Sequence, residues 1–555
     1  MVRMLGGRPS VVLSGLFLLI LMVSFSSPGT AGDPQSAYYG AENDHLFWFI
    51  QTSDTHIGAR GTTDHNNLNW LVTQARTIIE PSFILVTGDL TDSTNGNFLG
   101  LPDGPHQEEW NEYKSIIDSA GITQDDYYDV PGNHDAYSDR YFDYYRANSV
   151  QGRAKGNTQL SFVKDFDFGK YHFLGVNTAD NTGNAFSISW PYGDYAGLDD
   201  SELFFIGNEM SLHSDSKLTL VFGHHPLFDT GNSQDTYVYY GLPQFLSFMD
   251  QYYSALYGYG HTHAFSEAFF IPDGSAHEGF FYFNVNSLGK SSSNQYTIMA
   301  IDCNGLSSKT RTIGTWPAVL ITAPVDANLG GGNPYAYSVP AAASNPIRSL
   351  VFDSNNVSSV QYRIDGGTLW FDMSQVPENQ HLWQAMWDAS SLVQGQHTLE
   401  VRASSASGTS NDTITVNVQQ SSQLLQSAAS FVDVGKYVTT GSKRNKVTTF
   451  TSSTVFSQGD QVVFRLAVKD NNSLPISGAT VQLSIAGSGS PVTLTSAASN
   501  AAGVVETVWA TSAPNKRGVG GTPDDSYSAT VTGVTAAGYT WNRAANPTTF
   551  LIIKK

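Results

Sequence analysis

Short apolar runs recur through the first half of the chain, and each is followed by a polar cluster. Five of the runs have the length of buried strands: 47–50, 83–86, 127–130, 218–222 and 255–257. Between them, Trp110, Tyr113 and Ile117 recur at helical spacing. Asp199 with Glu202 resembles a capping box for a helix that runs to about Met210. Strands interleaved with helices predict an α/β domain, which we place at residues 43–315.

The pattern changes near Trp316 to alternation of apolar and polar residues. Val360, Tyr362 and Ile364 share one side of a predicted strand, and Asp365 with Gly366 begins a turn. The same alternation returns after a Ser/Gln-rich linker at residues 419–423. We therefore predict two antiparallel β-sandwiches, at residues 316–420 and 430–555.

The first 31 residues have the features of an export signal. Arg3 and Arg8 precede an apolar run from Val11 to Phe25, and small residues around Ala31 offer a cleavage site. An uncleaved anchor helix is the alternative, although the run is shorter than the ~20 residues that span a bilayer. We expect a secreted, periplasmic or cell-surface protein, with no membrane span after signal cleavage.

Charge and cysteine content narrow the possible partners. The chain has a net charge of −20, and its 29 basic residues are scattered, which argues against a nucleic-acid scaffold as partner. Small phosphate esters remain possible ligands. Cys303 is the only cysteine, so no intramolecular disulfide can form, and we predict a packed, inert thiol.

The polar clusters that follow the five apolar runs carry the candidate chemistry. They contain Asp54 and His56, then Asp89 and Asp92, then Asn133 and His134, then His224, and finally His261 and His263. Twelve of the 14 histidines precede Trp316. Carboxylate, amide and imidazole donors suit borderline divalent metals such as Mn, Fe or Zn. Because α/β proteins place sites at strand ends along one edge of a sheet, we predict a dinuclear metal centre there.

Several neighbouring residues are assigned from their context. Glycines precede Asp89, Asn133, His224 and His261, and we expect them to permit the tight bends that aim these side chains. A pocket role for His225 is left open. For a further set we predict ordinary surface or structural roles: Arg60, His65, His106, Arg140, His172 and His213.

With these motifs in order, residues 43–302 resemble the calcineurin-like metallophosphoesterase superfamily. The resemblance implies a two-sheet αββα sandwich with two metals at the strand ends. It implies that Asp89 bridges the metals, and that His134 lies beside them without being a ligand and is oriented by Asp92. Of the remaining ligands, the resemblance implies Asp54, His56 and His263 for one metal and Asn133, His224 and His261 for the other.

The implied function is hydrolysis of phosphate mono- or diesters by attack of a metal-bridging hydroxide, with His134 as general acid. Purple acid phosphatases are similar but have a metal-binding Tyr where this chain has Asp92, which favours a pair of divalent ions.

The later segments resemble bacterial immunoglobulin-like modules, through the 395–399 motif and the invasin-type 476–481 motif. The alternative function is therefore a cell-surface binding or adhesion protein in which these modules carry the function. Trp370, Trp383 and Trp387 could contact glycans, although core packing is the commoner role of such residues. A third possibility is that the modules only space or anchor an active head.

Overall fold

The computed structural model describes residues 45–555 apart from 94–103, 140, 180–195, 233–235, 273–278, 291, 293, 420–424, 443–444, 471–473, 489, 501, 537–538 and 543–546. The predicted export signal at residues 1–31 and Arg140 lie outside the described residues. Within the described part of the chain, no helix has both the length and the apolar character needed to cross a membrane.

The first part of the chain alternates strands with helices, as predicted. Its helices are α1 (Thr62–Trp70), α2 (Arg76–Ile79), α3 (Gln107–Ser119), α4 (Asn133–Ala136), α5 (Asp143–Asn148), α6 (Val150–Lys155), α7 (Asp200–Leu212) and α8 (Leu242–Gln251), with a π-helical turn at Leu71–Ala75. Its strands are β1 (Leu46–Thr52), β2 (Ile84–Thr87), β3 (Tyr127–Val130), β4 (Leu160–Phe166), β5 (Gly169–Gly175), β6 (Leu218–Phe222), β7 (Ser254–Tyr259), β8 (Ser266–Phe270), β9 (Phe280–Asn284), β10 (Gln295–Asp302) and β11 (Gly305–Thr312). The Asp199 carboxylate caps α7 by accepting a hydrogen bond from the Glu202 amide at 2.8 Å.

These strands form two sheets that pack face to face. The first has the order β11-β10-β1-β2-β3, and the second has the order β4-β5-β6-β7-β9-β8. Strands β1, β2 and β3 run parallel, as do β5, β6, β7 and β9. Phe49 of β1 and Phe83, which directly precedes β2, share one buried cluster with Phe173 and Phe222 of the second sheet. The predicted α/β architecture is confirmed.

Helices cover the outer faces of both sheets. Trp110 and Tyr113 of α3 are fully buried in the cluster behind the first sheet, because they lie on one face of the helix. Ile206 and Met210 of α7 and Phe245 of α8 are buried behind the second sheet. The resulting layers hold both sheets, and therefore the ends of their strands, in fixed positions.

The rest of the chain is all-β in the residues described. Its first unit contains β12 (Ala318–Ala323), β13 (Ser338–Pro340), β14 (Asn345–Phe352), β15 (Val357–Ile364), β16 (Phe371–Asp372), β17 (Ser374–Val376), β18 (Asn379–Trp387), β19 (Gly395–Ser405) and β20 (Gly408–Gln419), with a 3₁₀ turn at Leu329–Gly331. The last unit contains β21 (Leu425–Ser442), β22 (Asn445–Ser452), β23 (Val455–Ser457), β24 (Gln461–Asp470), β25 (Thr480–Ala486), β26 (Val492–Thr495), β27 (Val504–Ala510), β28 (Asp525–Thr535), β29 (Tyr539–Trp541) and β30 (Thr548–Lys554). Each unit places two sheets around its own apolar cluster, and Trp387 is buried in the first of them.

The first all-β unit packs directly on the α/β domain. Tyr296 and Ile298 of β10 share a buried cluster with Leu320 of β12, Phe352 of β14 and Leu382 of β18. The β12-β14-β18 sheet therefore covers the part of the first α/β sheet around β10, as an outer layer beside the helices. The two parts of the chain are joined by a common core rather than by a linker.

A buried ion pair also joins the first all-β unit to the α/β domain. Arg348 of β14 places Nε 3.1 Å from Asp302 Oδ2, and both side chains are nearly inaccessible to water. The Thr322 hydroxyl donates a hydrogen bond to the same carboxylate oxygen at 2.6 Å. Removing one partner of such a pair leaves the other charge buried without compensation.

We expect Arg348→Met to lower the free energy of unfolding by about 3 kcal/mol, because Asp302 would lose its buried counter-charge. Urea denaturation of the full chain measures this loss. Arg153→Met is the matched control, since its pair with Asp118 is solvent-exposed and is expected to contribute less than about 1 kcal/mol. Equal losses in the two variants would contradict a fastening role for the buried pair.

Candidate metal centre

The residues selected from the sequence converge at one end of the sandwich. Asp54 and His56 follow β1, Asp89 follows β2 and Asn133 follows β3, all in the first sheet. A separate set follows strands of the second sheet, with His224 after β6 and His261 and His263 after β7. The expectation of a single sheet edge is therefore corrected: the carboxyl ends of parallel strands from two facing sheets meet at the site.

One cluster is formed by Asp54, His56 and His263. His56 Nε2 lies 3.1 Å from His263 Nε2, and His263 Nε2 lies 3.2 Å from Asp54 Oδ1. His56 and Asp54 are fully buried, whereas the His263 side chain is 30% exposed. Three donor atoms therefore face one another at the rim of the site.

A second cluster is formed by Asn133, His224 and His261. His224 Nε2 and His261 Nδ1 each lie 3.0 Å from Asn133 Oδ1, and the two ring nitrogens are 3.2 Å apart. His261 Nε2 accepts a hydrogen bond from the Thr236 amide at 3.1 Å, and Nδ1 is the ring nitrogen that faces this cluster.

Asp89 lies between the two clusters. Its Oδ2 is 3.5 Å from His56 Nε2 in the first cluster and 3.2 Å from His224 Nε2 in the second. Its Oδ1 accepts a hydrogen bond from the His134 backbone amide at 2.9 Å. One carboxylate thus contacts both groups of donors, which is the placement that a bridging ligand requires.

Two of the imidazoles are oriented through their second nitrogens. His224 Nδ1 donates a hydrogen bond to the Thr87 carbonyl at 2.7 Å, which leaves Nε2 facing the second cluster. His56 Nδ1 lies 2.9 Å from Asp92 Oδ1, so Nε2 is the ring nitrogen that faces the first cluster. A carboxylate or carbonyl behind the imidazole is the usual way to fix the tautomer of a metal-binding histidine.

The backbone at the site is unusual. Asp54, His56, Asp89, His261 and His263 all have positive φ, between 42° and 70°. Such angles cost non-glycine residues stability and tend to collect at functional sites. The backbone conformation of the candidate ligand residues themselves therefore directs their side chains.

The glycines before the ligands act mainly by their size. Among the four, only Gly88 has positive φ. A Cβ at Gly132 would collide with Asp89, and a Cβ at Gly260 would collide with Ser53 and Asp54. The predicted role in tight bends is thus corrected for three of them: they permit neighbouring loops to approach closely.

The electrostatics of the site favour a cation. Burial disfavours ionisation of Asp54, but the His263 and His56 imidazoles outweigh it and hold its pKa well below the usual range. Burial also opposes charge on His224, yet Asp89 dominates and raises the His224 pKa to about 9. Burial lowers the pKa of His261 to about 3, so this imidazole is neutral. A bound metal ion would displace the extra proton of His224, and the carboxylate, amide and imidazole donors that converge here fit divalent metal ions.

His134 and Asp92 lie beside the clusters, as the sequence led us to expect, but their contact involves a different atom. His134 Nδ1 is directly hydrogen-bonded to the backbone carbonyl of Asp92, whereas the Asp92 carboxylate is 3.9 Å away. That carboxylate contacts His56 instead. Asp92 therefore positions two imidazoles, one through its side chain and one through its main chain.

The sequence analysis missed one residue at the site, Lys290, and left the role of another, His225, open. Lys290, in the segment after β9, places Nζ 2.8 Å from Asp92 Oδ1, and its side chain is 35% exposed. No motif includes it, because its position follows only from the fold. His225 is fully buried against His261, with its Nδ1 2.9 Å from the Thr178 hydroxyl. In the sequence, the position of His225 directly after the candidate ligand His224 was the feature that pointed to the site.

Known proteins match this region. Residues 47–265 match the model of the Calcineurin-like phosphoesterase family. The mouse protein "Transmembrane protein 62" is 26% identical over 387 residues, which is 67% of this chain and 55% of that protein. The Arabidopsis thaliana protein "Putative metallophosphoesterase At3g03305" is 28% identical over 236 residues, which is 39% of this chain and 31% of that protein. The chain thus spans about half of the first relative and a third of the second.

Among solved structures, a dimetal phosphatase from Danio rerio is 13% identical. The match covers 48% of this chain and 97% of that chain, with a TM-score of 0.37. The family match covers the part of the chain that supplies every residue of the two clusters. The α/β part of this chain therefore matches a calcineurin-like phosphoesterase domain.

Proposed function

We propose that this protein hydrolyses phosphate mono- or diesters with the help of two divalent metal ions, Mn, Fe or Zn. The observation that carries the proposal is the contact of Asp89 with both donor clusters. One ion would be held by Asp54, His56 and His263, and the other by Asn133, His224 and His261. Two such ions, when bound, activate a water and neutralise charge on a phosphate.

His134 is suited to handle the proton of the leaving group. Its Nδ1 is engaged by the Asp92 carbonyl, which directs Nε2 away from that contact, and its side chain retains 13% exposure. Burial lowers the pKa of His134 to about 3 without a substrate, although Asp89 partly opposes this effect. The negative charge of a bound phosphate favours the protonated imidazole, so substrate binding would load Nε2 with the proton that the leaving alkoxide needs.

Lys290 would bind a phosphate oxygen. Its ammonium is held beside the first cluster by Asp92 and remains partly exposed to an entering anion.

We expect Lys290→Met to lower kcat/KM for an aryl phosphate about 10–100-fold, the effect of losing one charge-assisted hydrogen bond, with metal content unchanged. Steady-state kinetics and metal analysis of the purified variant measure this. Lys309→Met, which removes a junction ion pair with Asp412, is the control, and equal kinetic losses would contradict the role of Lys290.

The central experiment compares p-nitrophenyl phosphate with bis(p-nitrophenyl) phosphate on the metal-loaded full chain. We expect about two metal ions per chain and turnover of at least one ester. Removing the metals with a chelator should abolish turnover, and adding back Mn²⁺ or Zn²⁺ should restore it. A metal-loaded chain that hydrolyses neither ester would contradict the proposal.

We further propose that the chain is exported and that its all-β units are immunoglobulin-like modules that hold the phosphoesterase domain at its place of action. The basic and apolar N-terminus supports export, and two sheets around one core in each unit support the module type. A surface or glycan contact through these modules would then determine which phosphate esters the site encounters.

A further inference from the structure

A second group of potential metal ligands lies in the α/β domain, formed by residues that the two clusters do not use. His172 of β5 meets Glu209 of α7 and His213, the residue that follows α7, and one donor atom from each lies within 4.8 Å of the others. His213 Nε2 is 3.6 Å from Glu209 Oε2, and the His172 and His213 rings are 4.7 Å apart. The sequence predicted structural roles for both histidines, because His172 is distant from the others along the chain.

The fold explains why these three side chains meet. Glu209 lies in the last turn of α7, and His213 is the C-cap residue four positions later, whose amide donates a hydrogen bond to the Glu209 carbonyl at 3.0 Å, so the two side chains lie on one side of the helix end. The helix packs on the second sheet through Ile206 and Met210, which brings this face against β5. The meeting point is therefore set by the core packing and does not depend on any surface loop.

His172 has the environment of a metal ligand. It is fully buried, with its Nε2 3.2 Å from the Ser161 hydroxyl and its Nδ1 3.5 Å from the Thr219 hydroxyl. Burial, assisted by nearby His213, lowers its pKa to about 3, so the ring is in the neutral form that binds metals. An ion would replace one of these two hydroxyl contacts, and the other hydroxyl would then orient the ring from behind.

We propose that His172, Glu209 and His213 form a third metal site, selective for Zn²⁺ or a similar borderline divalent ion. Two imidazoles and one carboxylate are a common zinc donor set, which leaves a fourth position for water. The His213 and Glu209 side chains are 27% and 17% exposed, so an ion can enter from solvent. An ordinary ion pair between Glu209 and His213 would not need a buried imidazole beside it. The bound ion would fasten the end of α7 to β5.

The test is the zinc content of the full chain after loading and gel filtration, measured by mass spectrometry. We expect three zinc ions per chain in the natural protein and two in Glu209→Gln and in His213→Ala. Both substitutions lie on the partly exposed end of α7, so circular dichroism should show an intact fold. His65→Ala, which removes a half-exposed histidine paired with Glu112, should retain three.

Two further measurements separate this site from the proposed active site. Micromolar Zn²⁺ should raise the melting temperature of Asp89→Asn, and adding His213→Ala should remove that rise. Hydrolysis of aryl phosphate by His213→Ala should equal that of the natural protein. Two zinc ions in the natural protein, or an unchanged count in both α7 variants, would overturn the proposal.

Discussion

Asp89→Asn should reduce hydrolysis of an aryl phosphate at least about 10³-fold, the loss expected when a central electrostatic group is removed from a reaction site. Asn has the shape of Asp, so the hydrogen bond from the His134 amide can be retained. The amide, however, cannot supply negative charge to both donor clusters. Kinetics and metal analysis together should show lost turnover and a reduced metal content.

Asp129→Asn is the matched control for this experiment. Asp129 is also fully buried, but it accepts hydrogen bonds from Tyr113 and from the Val150 and Gln151 amides, away from both clusters. Its replacement should lower stability while leaving metal content and turnover per folded molecule intact. If Asp89→Asn retained full turnover, the assignment of the site would be wrong.

Ending the chain after Thr315 should cause the other large effect, on stability. The shortened protein would expose the apolar surface around Tyr296 and Ile298, and Asp302 would lose Arg348. We expect insolubility, or a melting temperature lower by about 10 °C or more, since a loss of several kcal/mol shifts a domain of this size that far. Differential scanning calorimetry measures the shift.

A chain that ends after Gln419 is the control, because it keeps the whole β12-β14-β18 sheet. Its phosphoesterase domain should melt as it does in the full chain and should retain its activity. If the chain that ends after Thr315 were equally stable, the packing at the junction would be incidental. That result would favour the third possibility raised by the sequence, in which the all-β units only space or anchor the phosphoesterase domain.

The strands and the position of the candidate ligands at their ends were predictable because each motif is local. A short apolar run predicts a buried strand, and the polar residues just after it must lie at the strand end, as Asp54 and Asn133 do. Parallel strands bring such ends together within each sheet, whereas the meeting of the two sets of residues depends on the packing of the two sheets.

Contacts between distant segments could not be predicted in this way. Lys290 reaches Asp92 from 198 residues further along the chain, and no spacing rule relates the two. His172 and His213 looked isolated because the packing of α7 on β5 is a tertiary event. The packing of the first all-β unit on β10 could not be predicted either, because the apolar residues of β10 resemble those of any buried strand.

The positive φ angles of the ligand residues affect how this domain can be engineered. Glycine adopts such angles without the roughly 1–2 kcal/mol that other residues lose. His263→Gly would therefore relax the main chain while removing a donor, so a screen for heat resistance alone would tend to select inactive proteins. If these residues bind metal as proposed, thermostable variants should be sought with metal present, because ligation would then compensate for the strained conformation.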